Sequence, residues 1–200
     1  MLIGCQQAEK VPIPEVSDLD GIYLVYRGTH SKQGLIASSY NLGNPHVSHV
    51  GILLECQGHR KVYHVIDRHK STSALVSDHL RDFLTTEASL FHASLWKVTL
   101  TDSIFMQRLC GFVDQLRRQG VRFDYSFSEN DSTSLYCSEF VYHALVQADS
   151  CAFQLPLKRV QLPPVHAQFV QSDSLFYYPV DVFQTLSQVQ RVWSWTRNEP

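Results

Sequence analysis

Two strand-like runs, Val47 to Glu55 and Lys61 to Asp67, are separated only by a short segment containing Gly58. So short a connection joins two strands antiparallel, as a hairpin, and commits any sheet built on it to antiparallel pairing. Ile22 to Tyr26 reads as an earlier strand after the turn-like Asp18 to Gly21, and Trp96, Val98 and Leu100 alternate with Lys97 and Thr99 as a later one. Helical spacing appears in Val76, Leu80, Phe83 and Leu84, and most clearly in Phe105, Leu109, Phe112 and Leu116. That last stripe starts behind Asp102 or Ser103 as cap and stops at Gly120 after Arg117 and Arg118. It also accounts for Cys110 as a packing residue. Helices and hairpin-joined strands mixed in this way predict an α+β fold with a small antiparallel sheet.

The connections carry their own information. Residues 28–46 hold Gly28, Gly43, Asn44 and Pro45, with a short helix around Leu35 to Tyr40, and so long a connection in a compact domain is often a binding element. Phe123 to Ser134 is rich in Ser, Asp and Asn and reads as a loop. Beyond Cys151, prolines 156, 163, 164 and 179 preclude long regular elements until Val182, so this part should wrap the core and shape a cleft.

The 200 residues, 44% hydrophobic, suffice for one domain with a sizeable core, expected over residues 20–200. Only 18% are charged and the net charge is -2, which excludes the basic field that holds nucleic acid. No apolar run approaches the roughly 18 residues that span a bilayer. Residues 1–19 read as a tether or linker. Leu2-Ile3-Gly4-Cys5 has the form of a lipobox, which works only behind a basic and apolar leader. Either it ends such a leader, and Cys5 anchors the domain to a cell-envelope membrane, or the four-residue match is accidental and the protein is cytoplasmic.

The five cysteines (Cys5, Cys56, Cys110, Cys137, Cys151) are odd in number and include no CxxC pair. At least one thiol should be free. Cys137 opens the helical pattern that runs through Phe140, Val141, Ala144 and Leu145. A cysteine in the first turn of a helix feels the positive end of the dipole, which favours the thiolate, and lies beside unpaired N–H groups that can hold an oxyanion. A nucleophilic thiolate needs an imidazole, and His49 is the candidate, with Gly51 beside it on the same strand face. An even-numbered hairpin loop would put His64 on that face too, as the orienting group of a triad. Against this stand the ordinary roles of such residues, a core cysteine and structurally bonded strand histidines.

The same residues are those by which the sequence resembles the YiiX/YaeF family of permuted papain-like amidases, relatives of the NlpC-type peptidases and the lecithin:retinol acyltransferases. Ser48-His49-Val50-Gly51-Ile52-Leu53 resembles the family's histidine strand. Phe123-Asp124-Tyr125-Ser126-Phe127 followed by Tyr136-Cys137-Ser138-Glu139-Phe140-Val141 resembles its loop and nucleophile helix, and Tyr178-Pro179-Val180-Asp181-Val182-Phe183 matches more weakly. The resemblance implies a papain-like core in permuted order, the histidine strand before the cysteine helix. The family usually carries Glu where Val62-Tyr63-His64-Val65 has His64.

The expected function is a cysteine-dependent amidase or peptidase working through a thioester at Cys137, His49 and His64. Tyr136, Tyr125 and Asp124 are its candidate substrate-binding residues, and its substrate a peptide, acyl-amino or lipid-linked small molecule. Alternatives are an acyltransferase of the lecithin:retinol type, since an alcohol or amine can resolve a thioester as water does, and a non-catalytic binding module on the same fold. No cofactor is expected. No metal is expected either, because His46 and His49, three apart in a strand, face opposite ways.

Overall fold

The apolar run at Ile22 extends as strand β1 (Ile22–Thr29), buried along its whole length. A strand covered on both faces has no polar side to show. In the computed structural model, which describes residues 11–67, 73–87, 89–100, 102–127 and 133–197, helix α1 (Lys32–Ser39) follows, capped where the Ser31 side chain accepts the Gly34 N–H. The hairpin is β2 (His49–Cys56) and β3 (His59–Val65). Its turn is the two residues Gln57 and Gly58, at φ 56° and 76°, the type I′ geometry that needs positive φ at both positions.

Next come β4 (Leu75–Asp78), α2 (Leu80–Thr85), β5 (Leu90–Val98) and α3 (Ser103–Gln119). The short strands β6 (Arg122–Phe123) and β7 (Ser134–Leu135) pair in parallel and lead into α4 (Cys137–Ala148). After that, β8 (Lys158–Gln161), α5 (Pro164–Val170) and β9 (Ser174–Tyr177) precede the last strand, β10 (Val189–Thr196). Six strands form one antiparallel sheet in the order β10-β5-β1-β2-β3-β4. No helix among the described residues is long and apolar enough to cross a membrane.

The sheet separates two apolar layers. On one face Leu24, Tyr26, Val50, Ile52 and Leu54 meet Leu109, Val113 and Leu116 of α3 and Phe140, Val141, Ala144 and Leu145 of α4. On the other, Tyr23, Val25, Leu53 and Val62 meet Leu80, Phe83 and Leu84 of α2. Val11, Ile13, Val16 and Leu19 pack against this second layer. The stretch read as a tether is therefore docked on the domain from Val11 onward, while Cys5 lies outside the described residues.

Four expectations are corrected. Val76 does not continue the α2 spacing but belongs to β4, where it pairs with His64; the demand of the β3 edge for hydrogen bonds overrides the apparent period. Leu100 lies beyond the end of β5 and is exposed. β10, in which Trp193 and Trp195 alternate with Ser194 and Thr196 after a register irregularity between Arg191 and Trp193, completes the far edge of the sheet and was not foreseen. Finally, Cys110 is more than a packing residue. It is bridged to Cys56, because α3 lies across the end of β2, whereas Cys137 and Cys151 are free thiols.

The bridge joins residues 54 apart, and closing a loop of that length in the unfolded chain stabilises the fold by up to about 4 kcal/mol in the chain-entropy account. Reduction of the bridge, or Cys110→Ser, is expected to lower the denaturant midpoint accordingly. Identical unfolding curves for the oxidised and reduced chain would show that the bridge does not constrain the unfolded state.

Candidate active site

Cys137 is the first residue of α4, and α4 packs across β2 and β3. β2 pairs with β1 as far as Val50 and His49, but its ladder with β3 begins only at Ile52↔Tyr63. The start of β2 is thus open on one side, and the N–H groups of Val50 and Ser138 lie where they favour a negative charge on the sulfur of Cys137. The thiol therefore sits at the residue next to His49. The Ser138 hydroxyl is also close to the sulfur, but its single proton goes to the carbonyl of Tyr178 at 2.6 Å.

His64 follows the last paired residue, Tyr63, and so stands opposite Gly51, diagonally across from His49 on the same face. His49 Nε2 and His64 Nδ1 are 2.9 Å apart, with the rings nearly perpendicular. The missing side chain at Gly51 makes this possible. A Cβ there would lie 2.8 Å from Val62 Cγ1 and 3.0 Å from His64 Cβ. Below the pair lies Phe83, fully buried, stacked on His49 at 5.6 Å and edge-on to His64 at 4.8 Å. Beyond it, His64 Nε2 meets Asp78 Oδ2 at 3.0 Å. The sequence reading missed Asp78. Its signal is its place two residues after Val76, the residue opposite His64, in a segment whose spacing reads as helical.

The long connection 28–46 is held at the site by a buried carboxylate. Asp181 accepts the N–H groups of Leu42, Gly43 and Asn44 at 2.8, 2.9 and 2.9 Å. The same C-terminal segment is fastened to α4, since Tyr178 donates its N–H to the Tyr136 hydroxyl at 2.9 Å and stacks on Tyr142. Tyr136, expected to line a cleft, is therefore buried in a structural role. Asp124 is likewise buried, its Oδ1 accepting both the N–H and the hydroxyl of Ser126 at 2.8 Å. Tyr125 alone of the three is exposed, with its hydroxyl bonded to Asp67.

The electrostatics differ from the helix-dipole expectation. Burial pushes the Cys137 thiol up; the Val50 and Ser138 N–H groups and the charge of Arg27 oppose this without reversing it. His49 is held well below the usual imidazole range by burial, then by Arg27, then by His64. Arg27, directly opposite His49 on β1, is buried, lies 4.7 Å above the Phe83 ring and pairs with Glu87 at 3.0 Å. Both effects favour a neutral thiol and a neutral imidazole, not a standing ion pair. Both nitrogens of His64 are directed at different neighbours, so the side chains form a row and do not converge on a point. No group of three or more His, Cys, Asp or Glu among the described residues is gathered to hold a metal.

Gly51→Ala tests the architecture of the row. Overpacking at this position is expected to cost about 1–3 kcal/mol and, by pushing His64 aside, to shift the histidine ring resonances of both residues. A variant of wild-type stability with unmoved resonances would mean that the sheet absorbs the methyl group and that Gly51 is not what admits the pair.

No family model and no curated protein matches the sequence. Among solved structures, metalloprotein yiiX from Escherichia coli O157:H7 superposes with a TM-score of 0.61 over 86% of this chain and 94% of that chain, at 16% identity. The two share a backbone arrangement across nearly the whole of both. The chain therefore has a YiiX-like α+β fold.

Proposed function

We propose that the protein is a cysteine-dependent hydrolase that cleaves an amide, peptide or acyl-amino, on a papain-like core in permuted order. One observation carries this reading: a free cysteine at the head of α4 lies near the Val50 backbone, one residue along β2 from a histidine whose Nε2 meets a second histidine at 2.9 Å. Burying two imidazoles costs solvation that a pair of apolar side chains would not, so their presence together with a free thiol at the head of α4 supports a chemical role.

The chemistry follows from the neutral pair. His49 uses Nδ1, the ring nitrogen not engaged with His64, to take the thiol proton as the sulfur attacks the carbonyl carbon. The C–S bond forms and the carbonyl electrons move onto oxygen, near the Cys137 N–H, which at a helix start has no intrahelical acceptor. Collapse of this oxyanion breaks the C–N bond, and His49 gives its proton to the departing amine. Water, deprotonated by His49, then attacks the thioester; the acid leaves and the thiol is restored. The description of yiiX as a metalloprotein belongs to that protein. The donor row here does not fit an ion, and no step is routed through one.

The Cys56–Cys110 bridge supports an oxidising compartment, and with it the reading of Cys5 as a lipid anchor at the cell envelope.

Cys137→Ser and His49→Ala are each expected to abolish turnover of an amide panel drawn from cell-envelope peptides and acylated amino acids, with little change in melting temperature. Turnover surviving either substitution would sink the dyad. Release of the free acid marks a hydrolase, and its appearance on an added alcohol or amine marks a transferase. His64→Leu, which cannot bond to His49, should lose on the order of 10- to 10⁴-fold in turnover.

The pH dependence has a definite sign. Neutral His49 is the active form, and burial, Arg27 and His64 all lower its pKa. The acid limb of kcat/KM should therefore fall below the usual histidine range. A limb at or above that range would show that a thiolate–imidazolium pair, not a neutral one, is the resting state.

A further inference from the structure

Resting on the thiol–imidazole reading above, we propose that Asp78 is a positioning residue for His49. Acting through His64, its carboxylate fixes the direction of every proton in the row, so that a lone pair of His49 is presented to Cys137.

The argument is one of donors and acceptors. A carboxylate can only accept, so Asp78 Oδ2, 3.0 Å from His64 Nε2, requires the proton of His64 to sit on Nε2. Neutral His64 then has a lone pair on Nδ1. That atom is 2.9 Å from His49 Nε2, which must therefore be the donor. Neutral His49, its proton on Nε2, is left with the lone pair on Nδ1, the form able to take a thiol proton. Without the carboxylate the two imidazoles have no preferred polarity. The reversed row places a proton on His49 Nδ1, where it cannot act as a base. The carboxylate also supplies charge when it is needed. Once His49 holds the thiol proton it is a cation bonded to a neutral ring, and Asp78 is the anion behind that ring. No proton moves along the row; only the thiol proton is transferred, to His49 Nδ1.

This gives the departure at His64 a physical meaning. A glutamate at that position would accept from His49 directly. Here the acceptor is an imidazole and the carboxylate stands one ring further out, on β4. Among the described residues, the charged and titratable groups facing the row include Arg27 on β1, with Glu87 bonded to it, His49 on β2, Asp78 on β4 and Cys137 on α4. From α2 the row meets the apolar ring of Phe83.

The test needs no substrate, and so is independent of the amidase reading. The rate of Cys137 alkylation by iodoacetamide is followed against pH by mass mapping, with Cys151 as internal reference. Asp78→Asn is expected to slow Cys137 by about 10- to 10⁴-fold near neutral pH, with the gap closing at alkaline pH, where the thiol ionises without help. Asp78→Glu should recover most of the loss. In a His64→Glu background, where a carboxylate meets His49 directly, Asp78→Asn should produce no slowing. Nitrogen-15 spectra of the unmodified protein should show both His49 and His64 protonated at Nε2. The proposal is overturned by superimposable pH profiles, by a slowing of equal size at every pH, by an undiminished effect in the His64→Glu background, or by a His49 proton on Nδ1. Failure to cleave any amide, with the alkylation pattern intact, would sink the amidase reading alone.

Discussion

The contact on which the site depends is the diagonal one between His49 and His64, and it is a statement about register. A two-residue turn at Gln57-Gly58 sets Cys56 against His59, and everything along the hairpin follows from that pairing. Slipping the register by one residue would turn His64 to the face occupied by Ile52 and Leu54, into the layer under α4. The apolar residues of β2 and β3 resist such a slip, because it would turn Val62 and Leu53 from one layer to the other. Core packing and the geometry of the site are thus fixed by the same alternation. Gly51 adds the local condition, since a side chain there would occupy the space that the His64 ring crosses.

Burial and the helix dipole pull the thiol in opposite directions, and burial wins. The first turn of α4 offers N–H groups, and Arg27 adds positive charge, yet the thiol is raised overall. The reason lies in the layers around it. Phe83 seals the histidine pair from the α2 side and α4 closes over β2, leaving little water to solvate a thiolate. The same desolvation holds His49 neutral. In the proposed reaction, a neutral pair would separate charge only as the carbonyl is attacked, when the oxyanion and the N–H donors share it.

Much of this was legible in the sequence, and the limits have physical causes. β2, β3, α3 and α4 declared themselves through apolar runs, capping and the Gly58 turn, because the two helices set one face against the core and the two strands lie between its layers. The alternation even put His64 on the face of His49. The failures fall where tertiary partners decide. Leu75–Asp78 carries a helical spacing with Leu80 and Phe83, but the unpaired edge of β3 takes it as a strand, and with that misreading Asp78 was lost. Cys110 sits on an amphipathic stripe, and nothing in the stripe says that Cys56 lies across from it. Tyr136 precedes Cys137 and Asp124 lies in the loop before it, yet both side chains turn inward to hold backbone.

Cys137 and His49 come from elements about ninety residues apart, and neither α4 nor β2 alone fixes their distance. The segment from Tyr178 to Asp181 does so by holding both. At one end it is bonded to Tyr136 and Ser138, on either side of Cys137. At the other, Asp181 binds three successive N–H groups of the connection that delivers the chain to His49. A carboxylate bonded in this way by three donors is well satisfied in a buried site, whereas those N–H groups without it would be left unpaired near the core. The arrangement is therefore stiff on the side where a loop would otherwise be free to move. This also explains why a proline-rich C-terminal stretch with little regular structure carries the third block of resemblance: its backbone spans the gap between helix and strand, and its few side chains are those that clamp the two together.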